Sequence, residues 1–108
     1  RSSNIINLPL PAKSNGNDFK KVFEAEIKPA LATFNPEVIY ISAGFDAHVN
    51  DPLADLALTT KDYAWITEFI KETANNCCSG RIISSLEGGY HLPSLTESAL
   101  AHIISLVY

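Results

Sequence analysis

The sequence predicts an α/β fold with strands and helices alternating β-α-β-α-β-α and the strands parallel. Three observations carry this. Two short isoleucine-rich runs, Glu37–Ser42 and Arg81–Leu86, have strand composition and end in glycine-containing loops. The segments around them show helical apolar spacing. Finally, the connection between the two runs is long enough for the helical crossover that parallel strands need.

Each element has its own signals. "NIINLPL", Asn4 to Leu10, reads as a first short strand ended by Pro9 and Pro11, and "AKSNGND" then has turn chemistry. From Asp18 to Phe34, Phe19, Val22, Phe23, Ile27, Ala30, Leu31 and Phe34 fall on one helical face. Pro29 is expected to kink this helix, and Asn35-Pro36 to stop it. "EVIYIS" lacks strict alternation, as expected of a central parallel strand covered on both faces. Thr59 or Thr60 should cap the next helix, with Asp62 near the positive end of its dipole and Tyr63, Ile66, Phe69 and Ile70 on one face. Ser79-Gly80 closes it. After the strand "RIISSL" and the loop "EGGYHL", Pro93 suits the first turn of a last helix, whose apolar face would be Leu95, Ala99, Leu100, Ile103 and Val107.

Composition narrows the function classes. With 108 residues and 46% hydrophobic content, the chain can bury one core, so residues 1–108 are read as one domain or part of one. A net charge of -4 provides no basic stripe to neutralise phosphates or an anionic membrane surface. No apolar run approaches the ~20 residues of a membrane-spanning helix, and the opening residues lack a signal-peptide core. An intracellular, cytoplasmic location is therefore expected. The adjacent Cys77 and Cys78 suit reduced thiols better than a bridge or a structural zinc site. The chain contains no methionine, which leads us to expect an internal fragment of a longer protein.

In open α/β sheets, ligands bind beyond the carboxyl ends of the strands. "AGFDAHVNDPL" and "LEGGYHLPSL" both lie there. Asp46, directly after a buried strand, would need a cation or hydrogen-bond donors to offset its desolvation. It is either a metal ligand or a loop cap that bonds nearby amides. His48 shares an extended face with Asp46 and is a possible second ligand, or else a solvent-facing loop residue. Asp51-Pro52 reads as a turn former. Gly88-Gly89 allows close backbone approach or positive φ, and Tyr90 either presents a hydroxyl donor at the crevice or packs on the last helix.

At these residues the chain resembles the histone deacetylases and the related acetylpolyamine amidohydrolases, with the class II deacetylases nearest. "SAGFDAHVNDPLADL" resembles the family segment that carries the last aspartate ligand of the catalytic zinc. "LEGGYHLPSLTES" resembles its glycine-tyrosine loop, and "NIINLPLP" and "FNPEVIYISAGFD" also fit, so the likeness covers nearly the whole chain. The resemblance implies a three-layer α/β/α arginase/deacetylase-like fold, of which this chain would be the C-terminal part. It further implies that Asp46 is a Zn2+ ligand, that Tyr90 donates to the substrate carbonyl, and that Leu53, Gly88 and Gly89 line the acyl-lysine channel. The reaction would be metal-assisted amide hydrolysis of an acetylated lysine side chain or a small acetylated amine. The family's Asp-x-His-His-Gly-Asn-Gly-like segment and paired histidines appear nowhere in these residues. The remainder of a catalytic domain is thus an expected partner, the isolated piece is expected to be inactive, and its uncovered edges invite self-association.

Overall fold

The structure is a computed structural model that describes residues 4–51 and 56–107. Its first regular element begins at an Asn15 cap. The Asn15 side chain accepts from the Asp18 N–H at 3.2 Å, and the Asp18 carboxylate accepts from the Asn15 N–H at 2.9 Å. This reciprocal pair satisfies two otherwise unpaired donors and starts α1, Gly16–Val22. One wide π-helical turn, Phe23–Ile27, leads into α2, Lys28–Phe34. The turn explains why Pro29 does not break the helix. In a regular α-helix its ring would meet the carbonyl four residues earlier; here the widened turn ends just before it, with Lys28 N–H donating to Phe23 O. Asn35, at φ 51°, then ends the helix as expected.

Two parallel strands follow, β1 (Ile39–Ala43) and β2 (Ile82–Leu86), paired in register from Ile39 opposite Ile82 to Ala43 opposite Leu86. They are joined through α3, Thr60–Cys77, which Thr59 caps in a second reciprocal box with Asp62. Ser79 and Gly80, both at positive φ, turn the chain out of α3. The last helix, α4, runs Leu92–Val107 with Pro93 in its first turn, where its missing N–H costs nothing.

Ala43, Phe45, Leu58 and Tyr63 form the buried centre, joined by Phe19, Ile41, Ile66 and Leu95. Phe23, Trp65 and Phe69 close the far end through ring contacts between 5.3 and 5.9 Å. The architecture is a parallel strand pair with packed helices, an α/β arrangement, and four of the sequence-based expectations need correction.

Asn4–Leu10 forms no strand among the described residues; Ile5 and Ile6 are exposed, and no strand lies alongside for them to pair with. β1 is covered on one face only, because Ile41 and Ala43 meet the helices while Tyr40 and Ser42 on the other face are exposed. Phe34 points outward from α2.

The apolar stripe assigned to α4 also splits. Leu95 and Ala99 pack on the core, but Leu100, Ile103 and Val107 are exposed, and the buried positions are Ser94, Ser98, His102 and Ser105. Small and hydrogen-bonding side chains let α4 approach α3 closely. Thr60 and Ser98 hydroxyls lie 3.5 Å apart, and the Thr67 hydroxyl is 2.7 Å from His102 Nδ1.

Candidate active site

The two loops at the carboxyl ends of β1 and β2 are tied together directly. Glu87 N–H donates to Ala43 O at 3.0 Å, and Phe45 N–H donates to Gly88 O at 2.9 Å, so the strand pairing continues one step past the sheet. This brings Asp46 against the glycine pair. A Cβ placed on Gly88 would sit 3.4 Å from Asp46 Cγ, and one on Gly44 3.1 Å from Asp46 Oδ1. The half-buried carboxylate therefore lies between two side-chain-free backbones. Gly89 is needed for another reason: its φ is +144°, and a Cβ there would lie 2.8 Å from Leu95 Cδ1.

The loop after Asp46 is fixed by Leu58, which is fully buried. Its N–H donates to Ala47 O and its O accepts from Val49 N–H. Packed in the same core is Tyr63, whose hydroxyl is buried. Burial raises the Tyr63 pKa well above that of an ordinary phenol, and the nearby Asp46, Asp51 and Asp62 charges add to the shift.

His48 is not the solvent-facing residue expected from its polar loop. It is only 5% exposed, and its Nδ1 accepts from the Asn50 N–H at 3.1 Å. That assigns the ring proton to Nε2, which faces the Thr60 hydroxyl at 3.3 Å. Both nitrogens are thus engaged, Nδ1 within the loop and Nε2 tying the loop to α3. The chain also turns between Phe45 and His48, so Asp46 and His48 do not share an extended face.

Asp51 closes a turn that begins at His48, its N–H donating to His48 O at 2.9 Å, while Pro52 of the expected Asp51-Pro52 turn lies outside the described residues. It does more than that, because its buried side chain accepts the Tyr90 N–H through Oδ2 at 2.7 Å. Sequence reasoning missed this tie between the loops. Tyr90 is 59% exposed. Leu53 lies outside the described residues. Asp46, Gly88, Gly89 and Tyr90 are therefore gathered at one end of the sheet, while His48 is drawn into the scaffold.

Among the described residues, no three His, Cys, Asp or Glu side chains converge as a metal site. Asp46 suits one ligand position, being an accessible carboxylate at a strand end, and a catalytic zinc takes three protein ligands.

The histone deacetylase domain family matches residues 1–106. The chain belongs to the histone deacetylase family. It is 43% identical over 103 residues to type-2 histone deacetylase 1 of Dictyostelium discoideum, covering 95% of this chain and 7% of that protein. It is 47% identical over 93 residues to the chloroplastic histone deacetylase 14 of Arabidopsis thaliana, covering 86% of this chain and 22% of the relative. Among solved structures, the HDA15 HD domain superposes with a TM-score of 0.80 at 33% identity, over 90% of this chain and 26% of that one. The histone deacetylase Clr3 gives the same TM-score and identity over 89% of this chain and 16% of its own. This family member thus spans well under half the length of these relatives.

Proposed function

We propose that residues 1–108 are the C-terminal part of the catalytic domain of a zinc-dependent deacetylase that hydrolyses the acetyl amide of an acetylated lysine side chain. The observation that carries this reading is the juxtaposition of Asp46 and the Tyr90 loop. They are joined by the Phe45-to-Gly88 hydrogen bond, with the Asp46 carboxylate against Gly88.

Asp46 would be one metal ligand, with the others supplied by the remainder of the catalytic domain. When bound, zinc supplies a Lewis acid for the amide carbonyl and acidifies a coordinated water. The chain's own contribution is positional. Tyr90, on the exposed side of the loop, offers a phenol donor for the carbonyl oxygen, whose hydrogen bond strengthens as negative charge develops there. Gly88 and Gly89 leave room for a narrow acyl chain to pass the backbone, and the apolar character of Leu53, the residue the family resemblance puts at the channel rim, favours acyl-lysine over a cationic polyamine.

The free thiols Cys77 and Cys78 support a reducing, intracellular location, which we take to be cytoplasmic. No described helix is long and apolar enough to cross a membrane.

The test is turnover of an acetyl-lysine peptide, and of a small acetylated amine, by the full-length protein. Tyr90→Phe should lower kcat about 10²- to 10³-fold, as loss of one oxyanion donor does. Asp46→Ala should abolish both turnover and stoichiometric zinc. Full activity in either variant would overturn the assignment, and a preference for the small amine would transfer it to the polyamine branch.

A further inference from the structure

Asp51 stands out because its side chain reaches beyond its own turn. That turn is closed by the Asp51 N–H to His48 O bond, which any residue with an N–H could make. Instead a carboxylate only 6% exposed is held at the loop junction, and such burial is costly unless the charge is met by donors. One donor comes from 39 residues away, the Tyr90 N–H at 2.7 Å, a short charge-assisted bond.

The rest of the glycine-tyrosine loop is anchored at both ends. Glu87 is tied to Ala43 at the end of β1, and Gly88 to Phe45 in the loop after it. On the far side, His91 begins the last helix: its carbonyl accepts from Leu95 N–H, and its Nδ1 lies 2.7 Å from the Ser94 hydroxyl. Between these anchors lies Gly89 at φ +144°, the residue with the widest backbone freedom. The bond to Asp51 is what fixes the Tyr90 backbone after that pivot.

We propose that Asp51 is a positioning residue for Tyr90, setting where the phenol hydroxyl stands relative to Asp46. This rests on the role given to Tyr90 above. It makes Asp51 a link by which the metal-side loop dictates the geometry of the donor loop.

The experiment compares wild type, Asp51→Ala, Asp51→Asn, Tyr90→Phe and the double variant Asp51→Ala/Tyr90→Phe in the full-length protein with an acetyl-lysine peptide. Asp51→Ala should lower kcat at least about tenfold with KM little changed, since misplacement by about 1 Å costs on the order of a hundredfold. Asp51→Asn keeps an oxygen acceptor and should recover most of the loss. In the Tyr90→Phe background Asp51→Ala should cost less than about twofold, because the hydroxyl it positions is gone. An equal loss in both backgrounds, or no loss, overturns the proposal.

Hydrogen–deuterium exchange over residues 86–92 separates this idea from the deacetylase reading. Even if the wild type turns over neither substrate, so that the deacetylase reading fails, slow exchange at Tyr90 in wild type and Asp51→Asn but fast exchange in Asp51→Ala supports the tether. Equal exchange in all three refutes it.

Discussion

The hydrogen-bond chain behind the site fixes both the tautomer and the charge of a buried histidine, and it can be broken one link at a time. The Thr67 hydroxyl donates to Tyr63 O at 2.7 Å, so its oxygen must accept from His102 Nδ1–H, also at 2.7 Å. His102 Nε2 is then the acceptor for the Ser84 hydroxyl at 2.8 Å. Thr67→Val keeps the shape but strands a polar atom on a ring that is 7% exposed. An orphaned buried donor or acceptor costs about 1–3 kcal/mol, and a tautomer switch toward Ser84 draws the expected value to the lower half of that range.

Ser84 is exposed, so water replaces its hydroxyl, and Ser84→Ala should cost under about 0.5 kcal/mol. The same site sets a pH dependence. Burial lowers the His102 pKa from its ordinary 6.5, so the fold prefers the neutral ring. That stabilisation is complete above the unfolded value and is lost as pH falls through the folded one. Urea unfolding at pH 7.5 and pH 5 should therefore show a smaller acid-induced loss in His102→Gln than in wild type. Equal costs for Thr67→Val and Ser84→Ala, or identical acid losses with and without His102, would refute the reasoning.

Two further predictions test the site and the surface. Gly89→Ala forces an L residue to φ +144° against Leu95 and should cost about 1–3 kcal/mol in urea unfolding. Gly88→Ala meets Asp46 only at ordinary contact distance and should change stability by less than about 1 kcal/mol, so equal costs would contradict the loop geometry. The isolated 108-residue chain should self-associate through the exposed Leu100, Ile103, Ile104 and Val107, and Ile103→Lys should reduce this. A strictly monomeric wild-type chain at high concentration by light scattering would count against it.

How far the sequence was legible depends on whether a signal is local. The Thr59–Asp62 box, the stops at Asn35 and Ser79-Gly80, and the two loops at strand ends could all be read because cap and turn chemistry acts within a few residues. The side-chain tie from Asp51 to Tyr90 went unread for the same reason. Asp-Pro is a sufficient local explanation, and nothing nearby announces a partner 39 residues away. His48 was underrated because a polar loop says little about burial, which here depends on Thr60 of α3.

The helix α4 shows a deeper limit. Periodicity reports that an apolar stripe exists but not what covers it, and here the stripe through Leu100, Ile103 and Val107 faces away from α3. The open sheet face makes the same point with Tyr40 at 63% and Ile83 at 53% exposure, whereas parallel sheets are stable with both faces covered. These surfaces and Asp46 are unfinished in the same sense. Among the described residues, the apolar stripe has no covering layer, the strand pair no flanking strands, and the carboxylate no fellow ligands. One additional body of structure, the remainder of a deacetylase domain, would supply all three. On the proposed reading, burying those apolar faces would stabilise the same assembly that would complete the metal site, so folding of the whole domain and formation of its active site should be coupled rather than sequential.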